Sequence, residues 1–276
     1  MSSGGSRRAA VLGHPIAHSK SPLLHRTAYA QLGLDWTYDA VDVTVEGLED
    51  FLATLDSSWV GLSLTMPLKV GVIDYLDELT SPARELNVVN TVVFGDRGAV
   101  GHNTDVVGIQ EALRSGDRAA DGTVTILGGG ATARSALGAI AGIGFRRVVV
   151  AVRRPEVGPG LEALSESLDL VVEIVGWDQA GAHLNADVVI STVPGPAADR
   201  LAGSLDWPEG GTAGGVLLDV VYEPWPSLLE RRWKAGGGVA VPGWEMLLAQ
   251  AGAQVELMTG LSAPIPAMRA ALLTTL

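Results

Sequence analysis

The residues with the plainest chemistry in this chain are Gly128-Gly-Gly-Ala-Thr-Ala133, which follow the apolar run 123–127 and open a helical pattern. They fit G-x-G-x-x-A between a strand and a helix, where the first glycine permits a tight turn and the second lets the backbone approach a pyrophosphate. The helix start adds unpaired N–H groups and the positive end of its dipole. A glycine run alone is often only a turn in a chain with 35 glycines; the strand–loop–helix setting favours a nucleotide. The next strand, 148–152, ends in Arg153-Arg154, with no acid before Glu156. An acid there would serve the ribose 2′-hydroxyl of NAD, whereas two guanidiniums suit a 2′-phosphate and stack on adenine. The expected cofactor is NADP(H), against the ordinary alternative of an exposed charge pair at a loop start.

Alternating elements must position these groups. Strand patterns run over 9–13, 36–43 and 59–64, with helices over 45–55 and from Ser21, read as an N-cap followed by Pro22 as first residue. A hairpin is expected from 88–94 to Ala99 through Gly95-Asp96-Arg97-Gly98. A helix at 107–113 and a polar stretch at 115–122 precede a second unit. That unit has strands at 123–127, 148–152, 171–175, 188–191 and 215–220, and helices at 132–142 and 161–168. Helical patterns at 244–259 and 266–273 end the chain, and residues 1–8 read as a loose tail. Strands separated by helices imply a largely parallel α/β sheet.

Composition narrows the function classes. The 276 residues are 47% hydrophobic and 18% charged, which supplies a core and excludes bulk disorder. A net charge of −12 argues against nucleic acid and anionic membrane surfaces. Zero cysteines exclude disulfides, thiolate metal sites and a cysteine nucleophile. The apolar run after Arg7-Arg8 stops at His14-Pro15, too short for a signal segment, and glycines with Arg134 interrupt 124–145, so a cytoplasmic protein is expected.

Six further blocks occur in order: Gly13-His-Pro-Ile-Ala-His-Ser-Lys-Ser-Pro22, Leu64-Thr-Met-Pro-Leu-Lys69, Val89-Asn-Thr91, Gly101-His-Asn-Thr-Asp105, Asp219-Val-Val-Tyr222 with Pro224, and Gly243-Trp-Glu-Met-Leu-Leu-Ala-Gln250. Together they resemble the signatures of shikimate dehydrogenases across nearly the whole chain. The resemblance implies an α/β substrate domain (9–106 with the C-terminal helices 245–276) and a Rossmann-type NADP-binding domain (107–244), the last helices packing back on the first domain. It implies NADPH-dependent, reversible reduction of 3-dehydroshikimate to shikimate, by a monomer or homodimer whose partners are small molecules.

By match to the family's motifs, Lys69 and Asp105 would be the catalytic pair. Hydride delivery leaves an alkoxide at C3 that must gain a proton, and a lysine can give it while its charge stabilises the oxygen; Asp105 would orient Lys69. Ser19 and Ser21 would hold the substrate carboxylate with Tyr222, and Thr65, Asn90 and Gln250 the ring hydroxyls. Ser63 stands where many members carry a substrate-contacting Asn, so its shorter arm either makes that contact or leaves room for a water. Gly128, Gly130, Ala131 and Thr132 would line the pyrophosphate, Thr192 and Val193 the nicotinamide ribose, and Val220 and Gly243 the nicotinamide, where Met246 packs if it is not simply core.

Two departures stand out. Asn87-Val88 replace a common Gly-Ala, and Val152-Arg153-Arg154 replace Asn-Arg-Thr at the 2′-phosphate site. The ordinary reading of Lys69 is a solvated loop lysine, and that of Asp105 a helix N-cap. A metal site at His14, His18 and His25 is disfavoured because Pro15 interrupts any shared helical face and no acids accompany them; no G-x-S-x-G frames Ser19 or Ser21 as nucleophiles. The alternatives are a quinate/shikimate dehydrogenase, which tends to use NAD with an acid where Arg153 sits, and a noncatalytic NADP-binding sensor, which would not need Lys69 and Asp105 together. Arg153→Ala is expected to weaken NADPH far more than NADH in steady-state titrations; equal losses would refute the 2′-phosphate assignment.

Overall fold

The computed structural model describes residues 6–114, 122–205 and 215–276. The first five residues of the expected tail and most of the polar stretch at 115–122 lie outside the described residues. By contact density the chain divides into two units, one ending at Thr104 and joined by Leu248–Leu276, the other Asp105–Leu247.

In the first unit β1 (Arg7–Gly13) leads to α1 (Ser21–Gln31), β2 (Trp36–Asp42), α2 (Leu48–Ala53), β3 (Trp59–Leu64), α3 (Leu68–Gly71), β4 (Glu78–Leu79), α4 (Ser81–Leu86) and the hairpin β5 (Thr91–Gly95) and β6 (Gly98–His102). The sheet order is β2-β1-β3-β5-β6-β4. It is parallel-rich but mixed: β1 runs parallel to β2 and β3, and β4 to β6, while β5 is antiparallel to both β3 and β6. A hairpin connection forces that reversal, whereas parallel neighbours need a crossover. The core on one face gathers Leu12, Leu48, Leu62, Leu68 and Val92.

Three local expectations change. Arg7 and Arg8 belong to β1, paired with Trp36 and Thr37, and the Arg8 guanidinium lies 4.6 Å from the Trp59 ring centroid. Lys20 rather than Ser21 caps α1; Ser21 is its first residue, its N–H donating to Ser19 Oγ at 3.3 Å. Residues 88–90 precede β5 instead of belonging to it, because α4 ends at Asn87 with φ 51°, a left-handed turn that Asn tolerates almost as Gly does. The Gly-Ala to Asn-Val departure therefore keeps the local backbone feasible.

The second unit opens with α5 (Asp105–Leu113) and continues through β7 (Thr123–Leu127), α6 (Ala131–Gly142), β8 (Arg147–Val152), α7 (Gly158–Ser167), β9 (Val171–Gly176), β10 (Val188–Ser191), α8 (Gly195–Ser204), β11 (Val216–Asp219), α9 (Leu228–Ala235) and β12 (Val239–Pro242). The sheet is parallel in every described pairing, with order β12-β11-β10-β7-β8-β9. Counted from β7, that is the doubly wound order 3-2-1-4-5-6 of dinucleotide-binding sheets. The strands are near-continuous apolar runs because helices cover both faces. α10 (Gly243–Thr259) and α11 (Ile265–Leu273) finish the chain, and α11 packs on α1 within the first unit. No helix among the described residues is long and apolar enough to cross a membrane.

Ile126 is fully buried on β7, an inner strand of the sheet. Ile126→Ala should cost about 2–5 kcal/mol, from lost transfer energy plus the cavity left behind, read as a lowered urea midpoint followed by circular dichroism.

Candidate active site

Within the first unit, the ends of β1 and β3 carry the loops that hold the expected substrate residues. Thr65 N–H donates to Leu12 O at 2.9 Å, joining the Thr65-Met-Pro-Leu-Lys69 loop to the end of β1. Ser19, half-buried, is held by its N–H on Ile16 O at 3.0 Å, and buried Ser21 reaches the Tyr38 hydroxyl. Lys69 is half-buried on the short α3, and its carbonyl accepts the Val89 N–H at 2.8 Å. That bond sets the lysine's helix against the loop carrying Asn90.

Asn90 is 2% exposed. Its Oδ1 accepts from Thr104 N–H (2.8 Å) and the Thr91 hydroxyl (2.8 Å), while its Nδ2 faces Thr104 Oγ1 (2.9 Å) and Gln250 Oε1 (3.5 Å). Asn90 and Gln250, far apart in the chain, are thus brought together. Ser63 is buried on β3, accepting from the Tyr38 hydroxyl (2.6 Å) and donating to Gln254 Oε1 (2.9 Å). His25 lies fully buried, stacked on Tyr38 with ring centroids 3.9 Å apart and bonded to Gln254 Oε1 at 3.1 Å. Burial holds its pKa down to about 4, against the Gln254 bond that raises it. Sequence reasoning overlooked Tyr38, Thr91, Thr104 and Gln254; the signal available was a run of polar residues on otherwise apolar strand and helix faces.

In the second unit Asp105 is buried as the first residue of α5. Tyr222 is half-buried after β11, its hydroxyl pKa raised by burial and by Glu223. The Gly128 turn has φ 112°, closed to other residues without strain, and a Cβ there would lie 2.5 Å from Thr192 Oγ1. Thr192 is fastened by its N–H and hydroxyl to Leu127 O at 2.9 and 2.8 Å, so Gly128, Thr192 and buried Val193 meet at the ends of β7 and β10. The structure starts α6 at Ala131 with Gly130 as N-cap, and the space beside Gly130 is open for 4 Å around a notional Cβ. An open helix start behind an obligatory glycine turn fits a pyrophosphate. Gly243 has no room for a Cβ against Asp219 O and Val220, which brings these two expected nicotinamide neighbours together; Met246 is buried.

Arg153, exposed at the end of β8, lines a cavity of about 360 Å³ with Trp177, Asp178, Ala197, Arg200 and Leu201. The cavity lies at the carboxyl ends of β8 and β9, where the ribose end of a dinucleotide belongs in this sheet order. Arg154 is exposed and not among the lining residues, whereas Arg200 on α8, unnoticed in the sequence, is.

A family model described as the shikimate dehydrogenase substrate binding domain matches residues 11–92, and one described as the shikimate 5'-dehydrogenase C-terminal domain matches residues 243–273. The chain is 36% identical to a shikimate dehydrogenase (NADP(+)) of Citrifermentans bemidjiense over 98% of this chain and 95% of that one. Among solved structures, Mycobacterium tuberculosis shikimate dehydrogenase is 37% identical with a TM-score of 0.86, covering 97% and 99% of the two chains. The Thermus thermophilus enzyme in complex with NADP(H) and shikimate is 29% identical with a TM-score of 0.81, covering 98% and 100%.

Because His25 is neutral and buried in the fold but titrates near 6.5 when unfolded, the unfolded chain binds the extra proton first. Stability should therefore fall as pH drops from about 6.5 toward 4, by about 2 kcal/mol at pH 5. Urea midpoints at pH 7 and 5 check this, with a shallower drop expected for His25→Gln.

Proposed function

The chain belongs to the shikimate dehydrogenase family, and from that premise we propose that it catalyses the reversible NADPH-dependent reduction of 3-dehydroshikimate to shikimate with Lys69 and Asp105 as catalytic groups. It is an oxidoreductase acting on a CH–OH group, in the route to chorismate and the aromatic amino acids. The observation that supports this assignment of residues is the Val89 N–H to Lys69 O bond, which joins the backbone of the lysine's short helix to the loop that carries Asn90. A polyhydroxylated ring acid is suited by such groups, since each amide both donates and accepts. A site that hydrogen-bonds ring hydroxyls also discriminates strongly against analogues lacking them.

Ser19 and Ser21 would hold the substrate carboxylate with Tyr222, while Thr65, Asn90 and Gln250 bind the ring hydroxyls. Ser63, committed to Tyr38 and Gln254, supports this lining from behind and leaves the reach of the family's common Asn to be filled by water. The Lys69 ammonium gives its proton to the C3 alkoxide oxygen, and takes it back from the C3 hydroxyl in the reverse direction. Asp105 accepts a hydrogen bond from the ring. NADPH, when bound, supplies the hydride. Gly128, Gly130, Ala131 and Thr132 would hold its pyrophosphate, Thr192 and Val193 the nicotinamide ribose, and Val220 and Gly243 the nicotinamide. Arg153, with Arg200 opposite in the same cavity, would take the 2′-phosphate, and Arg154 contributes charge from outside it. The cytoplasmic location expected from the sequence goes with this role.

Lys69→Met should lower kcat by orders of magnitude while the shikimate KM changes little, followed at 340 nm; unchanged turnover would end the catalytic assignment. The same assay, pairing shikimate and quinate each with NADP and NAD, separates a strict enzyme from a quinate/shikimate dehydrogenase, and absence of all four activities would point to a sensor.

A further inference from the structure

We propose that Gln254, acting through Thr91, is a positioning residue that sets which end of the Asn90 side-chain amide is presented to the substrate; this rests on the assignment of Asn90 as a substrate residue made above. Gln254 is 1% exposed on α10, and both ends of its amide are bonded within the first unit, to β3, to α1 and to the start of β5. Its Nε2 donates to the Thr91 hydroxyl (3.0 Å) and to the Asn90 main-chain carbonyl (3.4 Å), and its Oε1 accepts from Ser63 Oγ (2.9 Å) and His25 Nε2 (3.1 Å).

The direction of every bond follows from two main-chain groups whose polarity cannot reverse. The Asn90 carbonyl can only accept, so the NH₂ end of Gln254 must face it. The Thr104 N–H can only donate, so Oδ1 of Asn90 must face that. Between these fixed points, Thr91 Oγ1 accepts from Gln254, which leaves its single hydrogen for Asn90 Oδ1 at 2.8 Å. On the other side the Tyr38 hydroxyl donates to Ser63, and Ser63 donates onward to the Gln254 carbonyl. His25 completes the set as the Nε2–H tautomer, because Gln254 Oε1 has no hydrogen to give it.

The acceptor end of Asn90 is in this way occupied by the protein, while of its two NH₂ hydrogens one faces Thr104 Oγ1 at 2.9 Å and the other meets Gln250 Oε1 only at 3.5 Å. Asn90 should therefore act on the substrate chiefly as a donor to a ring oxygen. Reversing its amide would set NH₂ against the Thr104 N–H in a buried setting, where unpaired donors are costly. Without the Thr91 hydroxyl, Oδ1 keeps only the Thr104 N–H and hydroxyl as donors, and the amide loses part of its preference for the productive orientation. Gln254 and Thr91 would then govern substrate affinity with little influence on proton or hydride transfer.

The test uses the full-length enzyme and compares Thr91→Val, which keeps the side-chain shape but lacks the hydroxyl, with Thr91→Ser, Gln254→Met and Asn90→Ala. Expected is a rise of about tenfold in the shikimate KM for Thr91→Val, the size that a lost substrate hydrogen bond gives, with kcat within about twofold and the NADP KM unchanged. Thr91→Ser should return the shikimate KM to within about twofold of the parent enzyme, and Gln254→Met, if it folds, should move it as Thr91→Val does. A raised shikimate KM in Asn90→Ala beside a parental value in Thr91→Val overturns the positioning role. Equal rises in both KM values, or a loss that Thr91→Ser does not restore, mark a merely structural threonine and overturn it too. No change in Asn90→Ala would instead overturn the assignment of Asn90 itself.

Discussion

The hydrogen bond from Thr104 N–H to Asn90 Oδ1, at 2.8 Å, is the constraint on which the first unit's site depends. It ties the loop before β5 to the chain that has just left β6, one residue before Asp105 begins α5. Because both groups are buried, each would carry a desolvation penalty if left alone, and neither can find water as a substitute. Asn90 also lies next to Val89, whose N–H holds the carbonyl of Lys69. A short loop thus joins the Asn90 amide, the backbone of the Lys69 helix and the chain leaving β6.

Around that bond the unit has buried an unusual amount of polarity for a mixed sheet. Tyr38, Ser63, His25, Gln254, Thr91 and Thr104 all lie inside and satisfy one another. Such a network specifies one arrangement when every member is paired and is a liability when one is not. It also makes His25 an internal acid-sensitive element, since burial opposes its charged form by more than the Gln254 bond favours it. The second unit works by a different rule. There the strands are mostly apolar, with Thr125, Ser191 and Asp219 buried among them, and Gly128, Thr192 and Arg153, the residues proposed for the cofactor, follow strand ends. Arg153 and Arg200 put positive charge locally into one cavity of a chain whose net charge is −12, which is the feature that favours their proposed role toward a phosphorylated cofactor.

The glycine loop, the parallel order of the second unit and most helices could be read along the chain, because they depend on residues close in sequence: a glycine where φ must be positive, an apolar run, a proline at a helix start. α9 was also legible in principle, since Ser227 accepts the Glu230 N–H at 3.1 Å in the S-x-x-E pattern of a capped helix. α8 was hidden by Pro194-Gly195-Pro196, which reads as a turn although proline suits a first helical turn. The antiparallel β5 within the first sheet was only half legible, because a hairpin announces itself but its neighbours do not.

What the sequence determined by itself was the kind of chemistry: a dinucleotide loop, an arginine where NAD would want an acid, and blocks of residues whose types and order resemble one family. Tertiary structure alone decided which polar residues work together. Gln254 meets Ser63, His25 and Thr91 from 163 to 229 positions away along the chain, and Arg200 on α8 lines the same cavity as Arg153 after β8. No local pattern records such meetings, since hydrogen bonding depends on distance and direction in space, and those are settled only when the sheets have formed.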